Sequence, residues 1–434
     1  MSIIDNTNSE EYVYGRAGHS AYRTKDYIFQ QLIPYIGNKR KLLSLIMQAV
    51  NKTDIRPTST FLDLFSGSGV VSRMAKKKGF RVISNDWEPY AEKINQCYIE
   101  TNKAPAFEYW GGYEAAIRKL NAVIPTEDWI TRHLCPANDE NYDSQKERMF
   151  YTHSNGMIID AMRIQIQDWE YKGLLTNHET ACLLAPMLYQ ACYTSNTSGV
   201  FKGFHNGWGG QTKTALYRIL SEFHLKPAMF FDNSEHNRVY KLNALELARK
   251  LGEEGEVVDV AYLDPPYNQH PYGSNYHVLN TITLWDKPPL TEKIQGRNKA
   301  AIREDWRTQR RSPYNHRGEA ARAYEELMHA INAKYILTSY STDGTIPLIS
   351  LVETCIRRGR TDFVQQQYKR YRVSSQRFSD KPVNVELILI VNTQEPHTGL
   401  SAIEICDNIL HTEKEALYFH SENDLNRTQQ ITLF

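Results

Sequence analysis

The polypeptide has 434 residues, which is ample for a catalytic core with one inserted domain. Its 51 basic and 50 acidic residues leave a formal net charge of +1, which excludes a strong uniform field for a polyanion and leaves such contacts to local patches. Its six cysteines (Cys97, Cys135, Cys182, Cys192, Cys355, Cys406) form no Cys-x-x-Cys pair and no zinc spacing, and no apolar run has membrane-spanning length. A reduced, cytoplasmic protein without a resident metal, a membrane span or a secretion signal is therefore expected.

In chain order, Pro34-Tyr35-Ile36-Gly37-Asn38-Lys39 precedes an amphipathic helix that starts near Arg40; on pattern alone Lys39 reads as a solvated charge. Residues 61–65 predict a short buried strand, followed by Ser66-Gly67-Ser68-Gly69 and an apolar helix to Lys78. Strand, glycine turn and helix make a corner where backbone approaches a ligand closely. The loop lacks the third glycine of a dinucleotide fingerprint and the Lys-Ser/Thr of a phosphate loop, so hydride and phosphoryl transfer lose support. Residues 81–85 predict a second strand ending at Asp86-Trp87-Glu88-Pro89. An acid at that tip suits the two hydroxyls of a ribose, or caps the helix after Pro89, and Trp87 offers a face for an adenine ring.

Residues 104–230 separate this half from the next strands. Within them, residues 151–171 and 179–193 read as helices, and the glycine- and aromatic-rich stretch 196–210 reads as a protruding hairpin carrying Lys202, His205 and Asn206. Residues 238–244 look like a further strand end, where Asn243 can close a turn.

The apolar run 257–263 ends in Asp264-Pro265-Pro266-Tyr267. An amino nitrogen conjugated with a ring is a weak nucleophile. A carboxylate oxygen and a carbonyl beside a proline can accept its two hydrogens and favour a pyramidal nitrogen, while the tyrosine stacks on the base. The alternative is a strand-to-turn Pro-Pro with a solvated acid. The stretch 268–277 is a candidate lid in which Tyr276 is a second stacker or packs on the following helix. Arg297, Lys299, Arg303, Arg307, Arg310 and Arg311 form one basic run and Lys369, Arg370, Arg372 and Arg377 another; each suits phosphate contact or a solvated face. Residues 335–340, 363–373 and 385–391 predict strands, a helix is expected over 319–333, and the acidic tail from 395 is expected to pack away from nucleic acid or stay mobile.

Taken in order, Tyr35-Ile36-Gly37-Asn38-Lys39, Asp63-Leu64-Phe65-Ser66-Gly67-Ser68-Gly69, Asp86 and Asp264-Pro265-Pro266-Tyr267 resemble the motifs of the Dam-type, alpha-group DNA adenine methyltransferases. The resemblance covers about residues 32–391. It implies S-adenosylmethionine as methyl donor and the 6-amino group of adenine in double-stranded DNA as acceptor. By position, Tyr35, Lys39, Asp86 and Asp264 match donor-binding residues; Asp63, Phe65, Gly67 and Gly69 belong to the methionine cradle; Asn243 approaches the donor's adenine. Asp264 is also the catalytic acid, with Pro265, Pro266 and Tyr267. Stretch 104–230 is similar in place to a target-recognition domain, and Asn196, Gly199 and Phe201 match an Asn-x-x-Gly-x-Phe hairpin that contacts DNA, with Lys202, His205, Asn206, Arg303, Arg307 and Arg310 as candidate DNA contacts.

The expected fold is α/β: a doubly wound, mostly parallel seven-stranded methyltransferase sheet with an inserted mainly α recognition domain, divided as 1–103, 104–230, 231–394 and an acidic extension 395–434. One antiparallel strand near the C-terminal edge is implied by the resemblance. The expected activity is site-specific adenine methylation by base flipping and direct displacement, as the modification enzyme of a restriction-modification system with a cognate endonuclease as possible partner. The alternatives are methylation of the exocyclic amine of cytosine, disfavoured by Asp at 264, an RNA substrate, and a non-catalytic DNA-binding regulator that retains the donor pocket.

Overall fold

The computed structural model describes residues 26–269, 271–291, 294, 296–303, 306, 310–369 and 383–431. Seven strands form one sheet: β1 (Thr60–Asp63), β2 (Arg81–Asn85), β3 (Arg238–Tyr240), β4 (Val258–Leu263), β5 (Ala333–Ser341), β6 (Arg360–Lys369) and β7 (Val383–Asn392). Their order is β3-β2-β1-β4-β5-β7-β6. The first five are parallel, and β7 runs antiparallel between β5 and β6.

Both faces of this sheet are covered, which is why its central strands are apolar at almost every position rather than at every second one. On one face Leu62, Ile83, Ala261, Ile336 and Leu389 pack under the helices Ala244–Glu253, Arg317–Ala330 and Leu348–Arg358. On the other, Phe61, Val82, Val260, Leu337 and Ile390 pack under α1 (Leu43–Asn51) and α2 (Val70–Lys77). Successive residues of β1 and β4 thus divide between two cores, as the pleat requires.

The inserted stretch is helical, with α3 (Pro89–Asn95) before it and α4 (Tyr113–Asn121), α5 (Trp129–Leu134), α6 (His153–Tyr171) and α7 (Asn177–Thr194) within it. Thr152 and Thr176 cap α6 and α7, and Thr176 with Glu179 completes a capping box, so both helices start where the sequence provides a threonine oxygen for the free amides. These helices share one hydrophobic core with α3 and the helix His277–Leu284, so the stretch is fused to the sheet's flank.

The structure corrects one expectation and gives the acidic tail a place. Residues 195–215 contain no strand. The expected hairpin is an irregular loop wound round the buried Asn196, whose amide donates to the carbonyls of Met149, His205 and Gly207 and accepts from the Gly209 amide. One side chain satisfies backbone groups that a hairpin ladder would have paired. The acidic tail, in turn, forms the helix Ala402–Ile431, and Ile405, Cys406 and Ile409 join the sheet core while the buried Glu413 accepts from Thr342.

Candidate active site

The four central parallel strands end together, and the candidate residues fall at or just past those ends. Asp63 closes β1 opposite Tyr262 and Ser84, Asp86 follows β2, and Asp264 follows β4. In a doubly wound sheet this edge is the ligand crevice, because loops and helix starts diverge there.

The glycine loop is shaped by backbone need. Gly67 has φ +50°, and a Cβ there would lie 2.6 Å from the Tyr35 ring. Gly69 has φ +78°, and a Cβ there would lie 2.3 Å from the Asn95 side-chain oxygen. Only glycine suits both positions. The Gly67 amide donates to Asp86 Oδ2 at 2.8 Å, and the Glu88 amide donates to Asp86 Oδ1 at 2.9 Å. Asp86 therefore ties the loop to the tip of β2 and does not cap α3, whose first turn starts at Glu88 without a side-chain cap. Burial raises the Asp86 pKa against the opposing pull of the Glu88 and Gly67 amides.

A larger and a smaller cavity adjoin over this edge, and Tyr35, Gly37, Phe65 and Asp264 line both. Asp86, Trp87 and Asn243 line the larger one; Lys39, Asp63 and Gly67 line the smaller. Asn243 also caps the helix Ala244–Glu253 by accepting from the Leu245 amide, so turn closure and lining coincide. Asp63 is 1% exposed; Oδ2 accepts from Ser72, and Oδ1 has no hydrogen-bond donor. Burial pushes its pKa up to about 7. Gly69 lines neither cavity and serves the packing of Asn95.

Asp264 and Lys39 meet between the cavities. The Lys39 ammonium, only 3% exposed, lies 3.1 Å from Asp264 Oδ1 and 3.7 Å from Glu386 Oε2, and donates to the Tyr267 hydroxyl at 3.4 Å. Sequence pattern alone made Lys39 a solvated charge. The fold buries it by setting its ammonium among Asp264 and Tyr267, just past β4, and Glu386 of β7. Burial pulls its pKa down, but Asp264, Tyr267 and Glu386 outweigh that, and it stays well above the ordinary lysine value. Burial likewise pushes Asp264 up to about 6, with Lys39 opposing and Glu386 adding to the rise. Pro265 is buried and Pro266 lines the larger cavity, while the Tyr267 ring stands edge-on to Tyr340.

Several expected contacts sit elsewhere. Tyr276 is fully buried, stacked on Tyr35 at 5.0 Å with its hydroxyl accepting from the Ile36 amide, so it is a wall support and not a base stacker. Tyr272, which the sequence reading passed over, takes the cavity-lining place. Arg310 is placed in the cavity wall rather than on an outward basic face: it donates to the Trp87 carbonyl, lies 3.4 Å from Glu88 Oε2 and stacks over Trp306. Arg303 pairs with Asp286, Lys299 donates to Asn206, and Arg311 pairs with Glu319 in the first turn of the helix Arg317–Ala330. Arg307, Arg370, Arg372 and Arg377 lie outside the described residues. Lys202 and His205 are half-buried in the loop round Asn196, and Asn206 is exposed.

Glu386 was missed altogether. Its signal was an acid inside the otherwise apolar run of β7, since buried charges are rare unless paired. Glu88 was also missed; it is buried, accepts from Asn280 at 2.6 Å, and burial pushes it up to about 7.

Residues 35–342 match the family described as D12 class N6 adenine-specific DNA methyltransferase. The chain belongs to this family. It is 31% identical over 342 residues to the Type II methyltransferase M.NlaIII of Neisseria lactamica, covering 78% of this chain and 92% of that protein. It is 31% identical over 346 residues to modification methylase LlaI of Lactococcus lactis subsp. lactis, covering 78% of this chain and 51% of that protein. With the Type II methyltransferase M.FokI of Planomicrobium okeanokoites it shares 28% over 349 residues, 80% of this chain and 50% of that protein. The chain thus spans about half the length of the last two relatives and nearly all of M.NlaIII.

D12-class enzymes use S-adenosylmethionine, and the residues present fit it. The smaller cavity is acidic, with the unpartnered Asp63 Oδ1 and Asp264 facing a space that suits an ammonium and a sulfonium; the larger offers Asp86 for hydroxyls and Trp87 for a ring. Among the described residues no cluster could hold a metal ion, and no helix is long and apolar enough to cross a membrane.

Proposed function

We propose that the protein methylates the 6-amino group of adenine at a specific site in double-stranded DNA, as the modification enzyme of a restriction-modification system with a cognate endonuclease. The single observation that carries this reading is the partly buried Asp264 carboxylate at the end of β4, ion-paired with Lys39 at the junction of the two cavities. S-adenosylmethionine, when bound, supplies an electrophilic methyl group that leaves a neutral thioether behind as the amine's lone pair displaces it.

Asp63 and Asp264 would hold the donor's positive end, Asp86 its ribose hydroxyls, and Trp87 with Asn243 its adenine. Gly67 keeps the backbone close enough for that contact. The target adenine, flipped from the duplex, would stack on Tyr267, and its amine would donate to Asp264 and the carbonyl beside Pro265. Two such acceptors draw the nitrogen lone pair out of conjugation, and the surrounding burial strengthens both contacts by excluding water. Lys39 keeps Asp264 ionised, which the acceptor role needs. Lys202, His205 and Asn206 of the Asn196 loop are the proposed DNA contacts.

Methylation-sensitive long-read sequencing of DNA from cells expressing the protein tests this. Modified adenine in one sequence context is expected, and Asp264→Ala should lower turnover by about a hundredfold or more, the scale for losing one preorganised contact to developing charge. Modified cytosine, or turnover in Asp264→Ala close to the parent, overturns it.

A further inference from the structure

We propose that Glu386 is a positioning residue for methyl transfer: it shares the Lys39 ammonium with Asp264 and so keeps Asp264 a strong acceptor for the target amine. This rests on the reading of Asp264 given above.

Glu386 sits in the interior of β7, opposite Ser341 of β5 and Gln366 of β6, at 5% exposure. The strand around it is buried from Val383 to Val391. A carboxylate there loses several kcal/mol of hydration, and an apolar residue of similar volume is often the more stabilising choice. Its Oε2 has no hydrogen-bond donor and caps no helix. The cation within ion-pair distance of it is Lys39, at 3.7 Å. Glu386 therefore does little for the strand, and what it touches is the partner of the candidate catalytic acid.

The geometry explains what that contact does. Lys39 has three N–H groups and three acceptors within reach: Asp264 at 3.1 Å, the Tyr267 hydroxyl at 3.4 Å and Glu386 at 3.7 Å. With two carboxylates about one ammonium, the cluster carries a net negative charge when all are ionised. The ammonium is held between the acids instead of closing fully on Asp264, and the surplus charge makes Asp264 more basic. Without Glu386, Lys39 would neutralise Asp264 one to one and compete with the amine for its oxygens. The other titratable groups facing the cluster are Asp63, Tyr262, Tyr267 and Tyr272 around Asp264 and Asp343 near Glu386, so the cluster titrates as a unit.

The test compares the full-length parent, Glu386→Gln, Glu386→Leu and Asp264→Ala, with single-turnover rates across pH, donor affinity by calorimetry, melting temperature, and the fluorescence of 2-aminopurine placed at the target adenine. Glu386→Gln should keep its donor affinity and the flipping signal, lower the plateau rate and move the acid limb down by about one pH unit, which is a tenfold change in proton affinity. Glu386→Leu should do the same without a fall in melting temperature, because an apolar side chain suits the site. A rate and acid limb unchanged in both variants overturn the proposal, as does a lowered rate that tracks a lowered melting temperature with the limb unmoved. If Asp264→Ala itself retains turnover, it is the role of Asp264 that fails; if Asp264→Ala is inactive and both Glu386 variants behave as parent, only the role of Glu386 fails.

Discussion

Replacing Lys39 with Met removes the cation from between the partly buried Asp264 and the buried Glu386 while keeping most of the length of its stem. At the observed 3.1 Å, and with an effective dielectric of about 20, the Lys39–Asp264 attraction is about 5 kcal/mol. Relaxation and entering water return part of this. Even half corresponds to a rise of about two pH units in the Asp264 pKa, at 1.36 kcal/mol per unit. Asp264, at about 6 in the parent, would then titrate near or above about 8. At neutral pH most molecules would carry a protonated Asp264, which can no longer accept two ways from an amine. Single-turnover rates for methyl transfer, measured across pH with donor and DNA saturating, should fall about tenfold or more at pH 7 and recover in alkaline buffer. Donor affinity read by calorimetry separates this from simple loss of binding. A Lys39→Met enzyme whose acid limb stays at the parent position with turnover intact would refute the claim that Lys39 sets the ionisation of Asp264.

Asp86→Ala should weaken donor binding by about 1.5–3 kcal/mol, or roughly tenfold and more, and because the Gly67 and Glu88 amides lose their acceptor the glycine loop should also loosen; calorimetry reads the first and hydrogen exchange at Gly67 the second. Asp63 has a folded pKa of about 7 against an unfolded value near 3.9, so the folded state binds its proton more tightly: that stability is fully present below about pH 4 and is lost as pH rises to 7. Asp63→Asn, which can still accept from Ser72, should flatten the donor-free melting temperature across that window, and an unchanged slope would count against a buried, titrating Asp63. Lys202→Ala with His205→Ala should weaken DNA binding or relax sequence preference at unchanged donor affinity; a phosphate contact would reduce the salt slope by about one unit and a base contact would cost about 1–3 kcal/mol at one position. If affinity, slope and preference all hold, the Asn196 loop is structural.

The ends of two central strands were legible in the chain because parallel strands buried on both faces write themselves as apolar runs with a turn residue at the end. The runs 81–85 and 257–263 fall on β2 and β4 to within a residue, and Asp86 and Asp264 follow them directly. Helices α6 and α7 were readable for a similar reason, since helical patterning is a local property, whereas their threonine caps emerged with the structure. What only the tertiary structure decided is which charges meet. Lys39 and Glu386 are separated by most of the chain, and neither window names the other: one is a lysine before a helix, the other an acid in an apolar strand whose partner the strand does not supply. Sheet order brings β7 beside β5 and places both against Asp264, where the loss of water turns three ordinary side chains into one coupled site. The Asn196 loop failed as a hairpin for the converse reason. Its glycines permit a turn, but the pairing of its backbone was settled by a buried amide reaching Met149, a contact no local pattern records.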